Sequence, residues 1–197
     1  MLKPGITVYF VRHGETDWNR AQRYQGQRDI PLNGVGRGQA VGNGRLLAGV
    51  LGKAAAAIDY VSSPLLRATE TMELMRAELG LPPKGYRVDD RLREIHYGYW
   101  EGELWKELHV KDPEGFSARE ADKWGWRPRG GESYRELSER VAEWLGEVER
   151  DVVVAAHGGV MRVLRGLSLS LEPAEIFQLD VPQDKVLAVE AGRTRWL

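Results

Sequence analysis

Two of the four histidines in this 197-residue chain directly follow apolar runs that predict buried strands. His13 comes after the run 6–11, and His157 comes after the run 152–156. Open α/β sheets bind ligands at the carboxyl ends of their strands. A single histidine in such a position is more often part of a hydrogen-bonded turn, but two at equivalent strand ends favour a shared site.

The neighbours of these histidines indicate what the site would bind. Gly14 and Gly158 follow the two imidazoles, and the lack of a Cβ would leave room for a ligand and let backbone N–H groups face an anion. Arg12 precedes His13 and supplies a planar guanidinium that can donate to two phosphate oxygens at once. These residues therefore predict a phosphate-binding site.

Two further charged residues remain undecided on the sequence alone. Arg67 fits an ordinary solvated arginine of a helix, and Glu94 fits a surface cluster with its arginine neighbours. If Glu94 lies on an extended segment, His96 faces the same side and could reach the site. A histidine next to tyrosines is more often a packing residue.

Composition excludes several classes of protein. The 28 basic and 29 acidic side chains give a net charge of −1, so we expect neither a nucleic-acid nor a membrane partner. The absence of cysteine excludes disulfides, iron–sulfur clusters and a thiolate nucleophile, and no apolar run could span a membrane. We therefore expect a cytoplasmic protein.

The sequence also predicts that the protein holds no metal or cofactor. No HExxH motif or clustered set of carboxylates suits a metal. The glycines between Gly34 and Gly44 do not match the GxGxxG spacing of dinucleotide folds, and close helix packing explains them better.

Hydrophobic patterning predicts the elements that position these residues. Strands are expected at 6–11, 58–62, 87–88, 152–156 and 185–190, and helices at 34–51, from Ser63-Pro64 onward, at 101–110, from Ser133 onward and at 160–169. Strands alternating with helices predict an α/β fold, with a mostly parallel sheet and helices on both faces. We expect one domain, residues 1–197, with a small cap-like insertion at about 100–131.

A series of motifs in register resembles the histidine phosphatase superfamily, the phosphoglycerate mutase-like proteins. The motifs are Arg12-His13-Gly14-Glu15-Thr16-Asp17-Trp18-Asn19, Tyr24-Gln25-Gly26, Ser62-Ser63-Pro64-Leu65-Leu66-Arg67, Leu92-Arg93-Glu94-Ile95-His96, Gly130-Gly131-Glu132-Ser133 and His157-Gly158-Gly159. The resemblance spans positions 6 to 170 and is nearest to the broad-specificity and α-ribazole phosphatases of the family.

The resemblance implies roles for individual residues. His13 would be the nucleophile that accepts a phosphoryl group, and Glu94 the general acid, with Glu101 and Glu132 as rivals for that role. The groups implied as phosphate ligands are Arg12, Asn19, Gln25, Arg67, His157 and Gly158.

Chemistry adds requirements to these roles. His13 must attack through a neutral ring, so its other nitrogen should bond to a backbone carbonyl. His157 should act better as a protonated donor. A carboxyl group next to phosphate is driven toward protonation, which suits Glu94 as the acid.

The function implied is hydrolysis of a small phosphate ester through phosphohistidine, with α-ribazole 5'-phosphate among the candidate substrates. A phosphoglycerate mutase is the alternative, although mutases of this family are longer and close additional segments over the site. A non-catalytic phospholigand-binding module is a second alternative. A homodimer is compatible with the sequence.

The insertion is rich in aromatic and basic side chains, which would suit a substrate with an apolar body, although any one tryptophan is more often a packing residue. They are Trp100, Trp105, Phe116, Arg119, Lys123, Trp124, Trp126, Arg127 and Arg129.

Overall fold

A computed structural model describes residues 2–197 of the chain. Its strands are β1 (Val8–Arg12), β2 (Asp59–Ser62), β3 (Arg87–Val88), β4 (Val152–Ala156), β5 (Val186–Glu190) and β6 (Arg193–Trp196). Its α-helices are α1 (Asp17–Arg20), α2 (Gly34–Leu51), α3 (Leu66–Glu78), α4 (Leu108–Lys111), α5 (Pro113–Ala121), α6 (Tyr134–Gly146), α7 (Gly158–Leu169) and α8 (Pro173–Ile176).

The strands form one sheet in the order β3-β2-β4-β1-β5-β6. The pairs β3-β2, β2-β4 and β4-β1 are parallel, whereas β1-β5 and β5-β6 are antiparallel. The prediction of a mostly parallel α/β sheet is confirmed.

The central strand β4 divides the core into two layers. Val152, Val154 and Ala156 pack with side chains of α6 and α7, while Val153 and Ala155 pack with side chains of α2 and α3. All five are nearly or fully inaccessible to solvent, as expected for a strand covered on both faces. Helices therefore lie on both faces of the sheet, as predicted.

The glycines of α2 serve close packing at two positions. A Cβ on Gly44 would lie 2.8 Å from the Met75 Cα of α3, and one on Gly36 would overlap the Glu15 backbone. Gly34, Gly38 and Gly42 have open space instead, so packing explains only part of the series.

The helix expected from Ser63-Pro64 begins later than predicted. α3 starts at Leu66, and the carboxylate of Asp29 accepts a 2.6 Å hydrogen bond from the Leu66 N–H. Ser63 lies two residues before the N-cap position, Leu65, and its hydroxyl accepts from the Leu65 N–H at 3.3 Å and contacts His157 Nε2 at 2.7 Å. By contrast, Ser133 and Glu136 form the capping box that the sequence predicts for α6.

The continuous helix predicted for 101–110 is wrong. Gly102 has a φ of +93°, which excludes a right-handed helix there, and only a 3₁₀ turn at Trp105–Glu107 and the short α4 follow. Within the predicted insertion, Asp112 and Pro113 start α5 as N-cap and first residue. The Asp-Pro pair is a local signal for a helix start, so α5 could have been predicted from the sequence.

The C-terminus forms a hairpin rather than ending with the predicted strand at 185–190. Chain reversal at Gly192 lets β6 pair with β5. None of the helices within residues 2–197 combines the length and the apolar character needed to cross a membrane.

Candidate active site

The register of the sheet brings the two predicted histidines together. Arg12 at the end of β1 pairs with Ala156 at the end of β4, so His13 and His157 follow at adjacent positions. Their ring centroids lie 5.2 Å apart, and both side chains are buried. The structure therefore places the two histidines side by side at this edge, where the sequence predicts a shared site.

Two contacts define the tautomer of His13. Its Nδ1 lies 2.8 Å from the Gly14 carbonyl oxygen, which can only accept a hydrogen bond. Its Nε2 lies 3.2 Å from Nε of Arg67, which can only donate. The proton therefore sits on Nδ1, and Nε2 presents its lone pair, as the sequence analysis requires of a nucleophile.

The ring of His13 is held neutral. Burial is the main cause that lowers its pKa well below the usual value, and the positive charges of Arg67 and Arg12 add to the effect. A neutral imidazole is available at physiological pH for attack through Nε2.

Arg67 is fully buried beneath the site. Its terminal nitrogens donate to the carbonyl oxygens of Arg28 and Gly26, both at 2.7 Å, while Nε donates to His13. Burial lowers its pKa to about 10, which still leaves the guanidinium charged at neutral pH. The default expectation of a solvated helix arginine is wrong here.

Arg12 lies beside the same histidines. One terminal nitrogen donates to the Val181 carbonyl oxygen at 2.7 Å, while its buried Nε has no partner among the described residues. A Cβ on Gly158 would lie 3.4 Å from that Nε. Because buried donors are almost always paired, this unpaired N–H of Arg12 at the start of α7 indicates that an anionic ligand binds here.

His157 differs from the expectation of a protonated donor. Burial, followed by the charge of Arg67, lowers its pKa well below the usual value, so the ring is neutral in this structure. Its Nε2 contacts the Ser63 hydroxyl at 2.7 Å, and its Nδ1 has no partner among residues 2–197. If Ser63 donates to Nε2, a neutral His157 still presents an Nδ1–H donor.

Glu94 is bound to the first turn of α7. Its Oε1 accepts hydrogen bonds from the Ile95 and Gly159 N–H groups at 3.0 and 3.1 Å, and Oε2 accepts from Gly159 at 3.2 Å. A Cβ on Gly159 would lie 2.5 Å from Oε1. Only glycine at this position lets the carboxyl group approach so closely.

The two other candidates for the general acid, Glu101 and Glu132, bind other groups of the protein. Glu101 accepts from backbone N–H groups of Gln27 and Tyr97, and Glu132 pairs with Arg140 at 2.6 Å. Neither lines the cavity described below.

Asn19 and Gln25 belong to one polar network above His13. Thr16 links them, with its hydroxyl 3.2 Å from Asn19 Oδ1 and 2.9 Å from Gln25 Oε1. Gln183 donates both to Asn19 Oδ1 and to the His13 carbonyl oxygen. The network ties the two predicted ligands to the backbone of His13.

Gly14 has a different role from the one predicted. A Cβ there would overlap the Gly36 carbonyl oxygen at the start of α2. The missing side chain therefore makes room for a helix rather than for a ligand.

These groups surround a cavity of about 250 Å³ that opens at the carboxyl edge of the sheet. It is lined by Arg12, His13, Asn19, Arg23, Tyr24, Gln25, Gly26, Arg67, Glu94, Tyr97, Gly158, Gly159, Arg162 and Val181. All of the predicted site residues except His157 line it, and His157 lies directly behind them in contact with His13.

Several residues that line this cavity were not predicted from the sequence. Arg162 could have been found, because it stands four residues after Gly158 and so shares its face of α7. Tyr24 and Arg23 sit in the strand-like segment that meets Leu104, a contact that no local pattern predicts.

The insertion does not contribute to the cavity lining within the described chain. Trp100 is buried and packs against Trp126 with ring centroids 4.4 Å apart, while Trp124 packs near Tyr134 and Phe177. Trp124 therefore packs the insertion onto the core and Trp100 is buried, whereas Trp105 is 41% exposed. His96 is also absent from the lining, because its Nδ1 accepts from the Gly98 N–H at 2.8 Å.

Across residues 2–197, no group of three or more histidine, aspartate or glutamate side chains is placed so that it could hold a metal ion. The donors that converge on the cavity are guanidinium, imidazole and amide groups. Such a set suits an oxyanion rather than a cation.

Comparison with known proteins defines the class. Residues 8–197 match the model of the histidine phosphatase superfamily, branch 1. The chain belongs to this superfamily, as its motifs predicted.

Two curated relatives illustrate the range of named activities. A metal-independent phosphoserine phosphatase of Arabidopsis thaliana is 39% identical over 163 residues, which cover 80% of this chain and 66% of that protein. A glucosyl-3-phosphoglycerate phosphatase of Mycobacterium tuberculosis is 39% identical over 180 residues, or 85% of this chain and 77% of that protein.

Solved structures share the fold over nearly the whole chain. A proposed α-ribazole-5'-P phosphatase of Escherichia coli superposes with a TM-score of 0.81 at 25% identity, covering 98% of this chain and 94% of that one. A mycobacterial glucosyl-3-phosphoglycerate phosphatase gives 0.78 at 30% identity, covering 97% and 96%. The predicted enzyme class, a phosphatase of the phosphoglycerate mutase-like type, is confirmed.

Proposed function

We propose that this phosphatase hydrolyses small phosphate monoesters in two steps through a phosphoryl group on His13 Nε2. The observation that carries the proposal is the pair of contacts on His13, which leave Nε2 unprotonated among the guanidiniums of Arg12 and Arg67. A neutral imidazole among guanidiniums is suited to attack on a phosphate ester, because the cations bind the phosphate oxygens while the ring nitrogen attacks phosphorus.

Binding of the phosphoryl group uses donors that the protein leaves unpaired. Arg12 Nε and His157 Nδ1 have no partner among the described residues. Together with Arg67, Asn19, Gln25 and the Gly158 N–H, they would surround the equatorial oxygens, where charge accumulates during phosphoryl transfer.

In the first step, Nε2 of His13 attacks phosphorus as the ester P–O bond breaks. The leaving oxygen takes a proton from Glu94, so the alcohol departs neutral. Glu94 can hold that proton on Oε2, because Oε1 accepts both the Ile95 and Gly159 N–H groups, while Oε2 has only the longer contact to Gly159.

In the second step, water attacks the phosphoryl group on His13 and gives a proton to the Glu94 carboxylate. The P–N bond breaks, inorganic phosphate leaves, and His13 and Glu94 return to their starting states. The sum is hydrolysis of one ester bond by one water molecule.

Hydrolysis is favoured over mutase chemistry by the position of the insertion. A mutase must exclude water while its intermediate reorients. Residues 100–131 are the candidate lid on the sequence, yet the cavity lining contains none of them. The non-catalytic alternative is disfavoured because His13 and Glu94 are both in place.

The substrate is an ester of modest size, given a cavity of about 250 Å³. Related proteins are named for phosphoserine, glucosyl-3-phosphoglycerate and α-ribazole-5'-P. These three esters and p-nitrophenyl phosphate form the first panel to assay.

The test follows product formation from 3-phosphoglycerate as sole substrate. We expect release of inorganic phosphate, little 2-phosphoglycerate and no dependence on added 2,3-bisphosphoglycerate. Rapid isomerisation that needs the bisphosphate would instead establish the mutase. EDTA should leave the rate unchanged, and loss of activity that zinc or magnesium restores would overturn the metal-free mechanism.

A further inference from the structure

Two arginines of the cavity have no part in the mechanism above. Arg162 on α7 and Arg23 after α1 both line the cavity. Neither has a carboxylate within 4.0 Å among the described residues, although neighbouring Arg20 and Arg28 pair with Glu15 and Glu101. The cavity therefore keeps two cations that the rest of the protein does not neutralise.

Both side chains are held in place by backbone carbonyl groups. Nε of Arg162 donates to the Leu179 oxygen at 3.2 Å, and a terminal nitrogen of Arg23 donates to the Gly102 oxygen at 2.6 Å. An arginine has five N–H donors, so each guanidinium is anchored and still has donors to spare. Anchoring lowers the entropy that ligand binding would otherwise cost.

Arg162 is the better placed of the two. It is half-buried and stands one helical turn after Gly158, on the face of α7 that meets Arg12. Its positive charge also acts on Arg12, one of the proposed phosphate ligands, because Arg162 contributes to lowering the pKa of Arg12. Arg23 is more exposed and lies at the mouth.

The charges that line the cavity exceed what one phosphate requires. Arg12, Arg23, Arg67 and Arg162 face a single carboxylate, Glu94, while His13 is neutral. A phosphate monoester dianion balances two of the four guanidiniums. When Glu94 carries the proton that it donates, two positive charges remain.

We propose that Arg162, supported by Arg23, binds a second anionic group on the substrate, a carboxylate or a second phosphate. The preferred substrates are then phosphate esters that carry another negative charge a few bonds from the ester. This inference rests on the proposed phosphatase function and specifies its substrate class.

Matched substrate pairs test the inference. 3-Phosphoglycerate and glycerol 3-phosphate differ by a carboxylate, and fructose 1,6-bisphosphate and fructose 6-phosphate differ by a phosphate. The wild type should show a higher kcat/KM for the member with the second anionic group in at least one pair, and the pair that responds identifies the anion.

Substitution of the arginines should remove that preference. Arg162→Met should lower the kcat/KM ratio within the responding pair by roughly 10- to 100-fold, the range expected for one charge-assisted hydrogen bond. Arg162→Lys should retain part of the ratio, and Arg23→Met should lower it less. Arg45→Met, an exposed arginine of α2 paired with Glu78, is the matched control and should leave the ratio unchanged.

Failure of this inference is distinguishable from failure of the proposed function. Hydrolysis of p-nitrophenyl phosphate, which has no second anion, tests the phosphatase by itself. If the wild type hydrolyses that ester but shows no preference in either pair, or if Arg162→Met keeps the wild-type ratio, the second-anion subsite is wrong. Thermal melting of each variant confirms that a lost ratio comes from folded protein.

Discussion

Nε of Arg67 donates a 3.2 Å hydrogen bond to His13 Nε2, the nitrogen that attacks phosphorus in the proposed mechanism. Arg67 therefore acts on the nucleophile before any substrate arrives. It selects the tautomer with an unprotonated Nε2, and its charge opposes protonation of the ring. The same guanidinium is anchored to Gly26 and Arg28, so its position is independent of the ligand.

Replacing Arg67 should change the titration of His13. Arg67→Met removes a positive charge, so the pKa of His13 should rise, while burial keeps it below the usual value. The kcat/KM for phosphate esters should fall by about 100- to 1,000-fold or more, as for loss of an oxyanion donor. Histidine NMR measures the first effect and steady-state kinetics the second.

Arg37→Met is the control for that experiment, because Arg37 is an exposed residue of α2 paired with Glu70. It should leave the His13 titration unchanged. A His13 pKa that does not move in Arg67→Met would show that Arg67 is only a phosphate ligand.

The general acid is tested by the quality of the leaving group. Glu94→Gln cannot supply a proton, so hydrolysis of alkyl phosphates should slow by roughly 100- to 10,000-fold. The loss on p-nitrophenyl phosphate should be much smaller, because p-nitrophenolate leaves without protonation. Equal losses on both esters would assign the acid role to another group.

The close approach of Gly159 to Glu94 makes a second, indirect test. In Gly159→Ala, the new Cβ would lie 2.5 Å from Oε1 and must displace the carboxyl group. The variant should lose activity selectively on alkyl phosphates, in the same direction as Glu94→Gln.

Gly42→Ala is the matched control, because Gly42 lies within α2 with no atom inside 4 Å of an added Cβ. It should retain full activity and gain about 0.5–1 kcal/mol in the free energy of unfolding. Full activity of Gly159→Ala on alkyl phosphates would contradict the positioning of Glu94 by α7.

Stability should depend on pH through the two buried histidines. Well above about pH 6.5 both rings are neutral whether the chain is folded or not, and their contribution to the free energy of unfolding does not change with pH. Below it, the unfolded chain binds protons that the folded protein resists, because burial lowers the pKa of His13 and His157. Stability should then fall by about 1.4 kcal/mol per pH unit for each histidine.

Urea unfolding at several pH values between 5 and 8 measures this slope. His157→Gln removes one of the two groups and should make the slope about half as steep. A wild-type free energy that stays constant down to pH 5 would mean that the histidines are protonated in the folded state.

Sequence patterns predicted the elements whose signals are local. The apolar run of β4 and the capping box at Ser133 were both correct. The start of α3 was wrong because the helix begins at Leu66, whose N–H donates to Asp29, a residue 37 positions away. The break at Gly102 follows from a positive φ that single-residue preference does not reveal.

Features of the site are likewise predictable where their signal is local and not where they depend on the surrounding fold. The strand–histidine–glycine pattern predicts that His13 and His157 meet, because parallel strands end at one edge of the sheet. The role of Gly14 in admitting α2 and the neutral state of His157 depend on what surrounds them in three dimensions. Burial of that kind cannot be read from neighbouring residues.

The most direct measurement is the chemical identity of the phosphorylated residue during turnover. Enzyme mixed with ³²P-labelled substrate and denatured in alkaline detergent should carry a label that is stable to base and lost in acid. Peptide mapping should place the label on His13. ³¹P NMR should place the phosphoryl group on Nε2, since Nδ1 is hydrogen-bonded to the Gly14 carbonyl oxygen. A label on another residue would contradict the account. So would a His13→Ala variant that takes up no label and still hydrolyses the substrate at the wild-type rate.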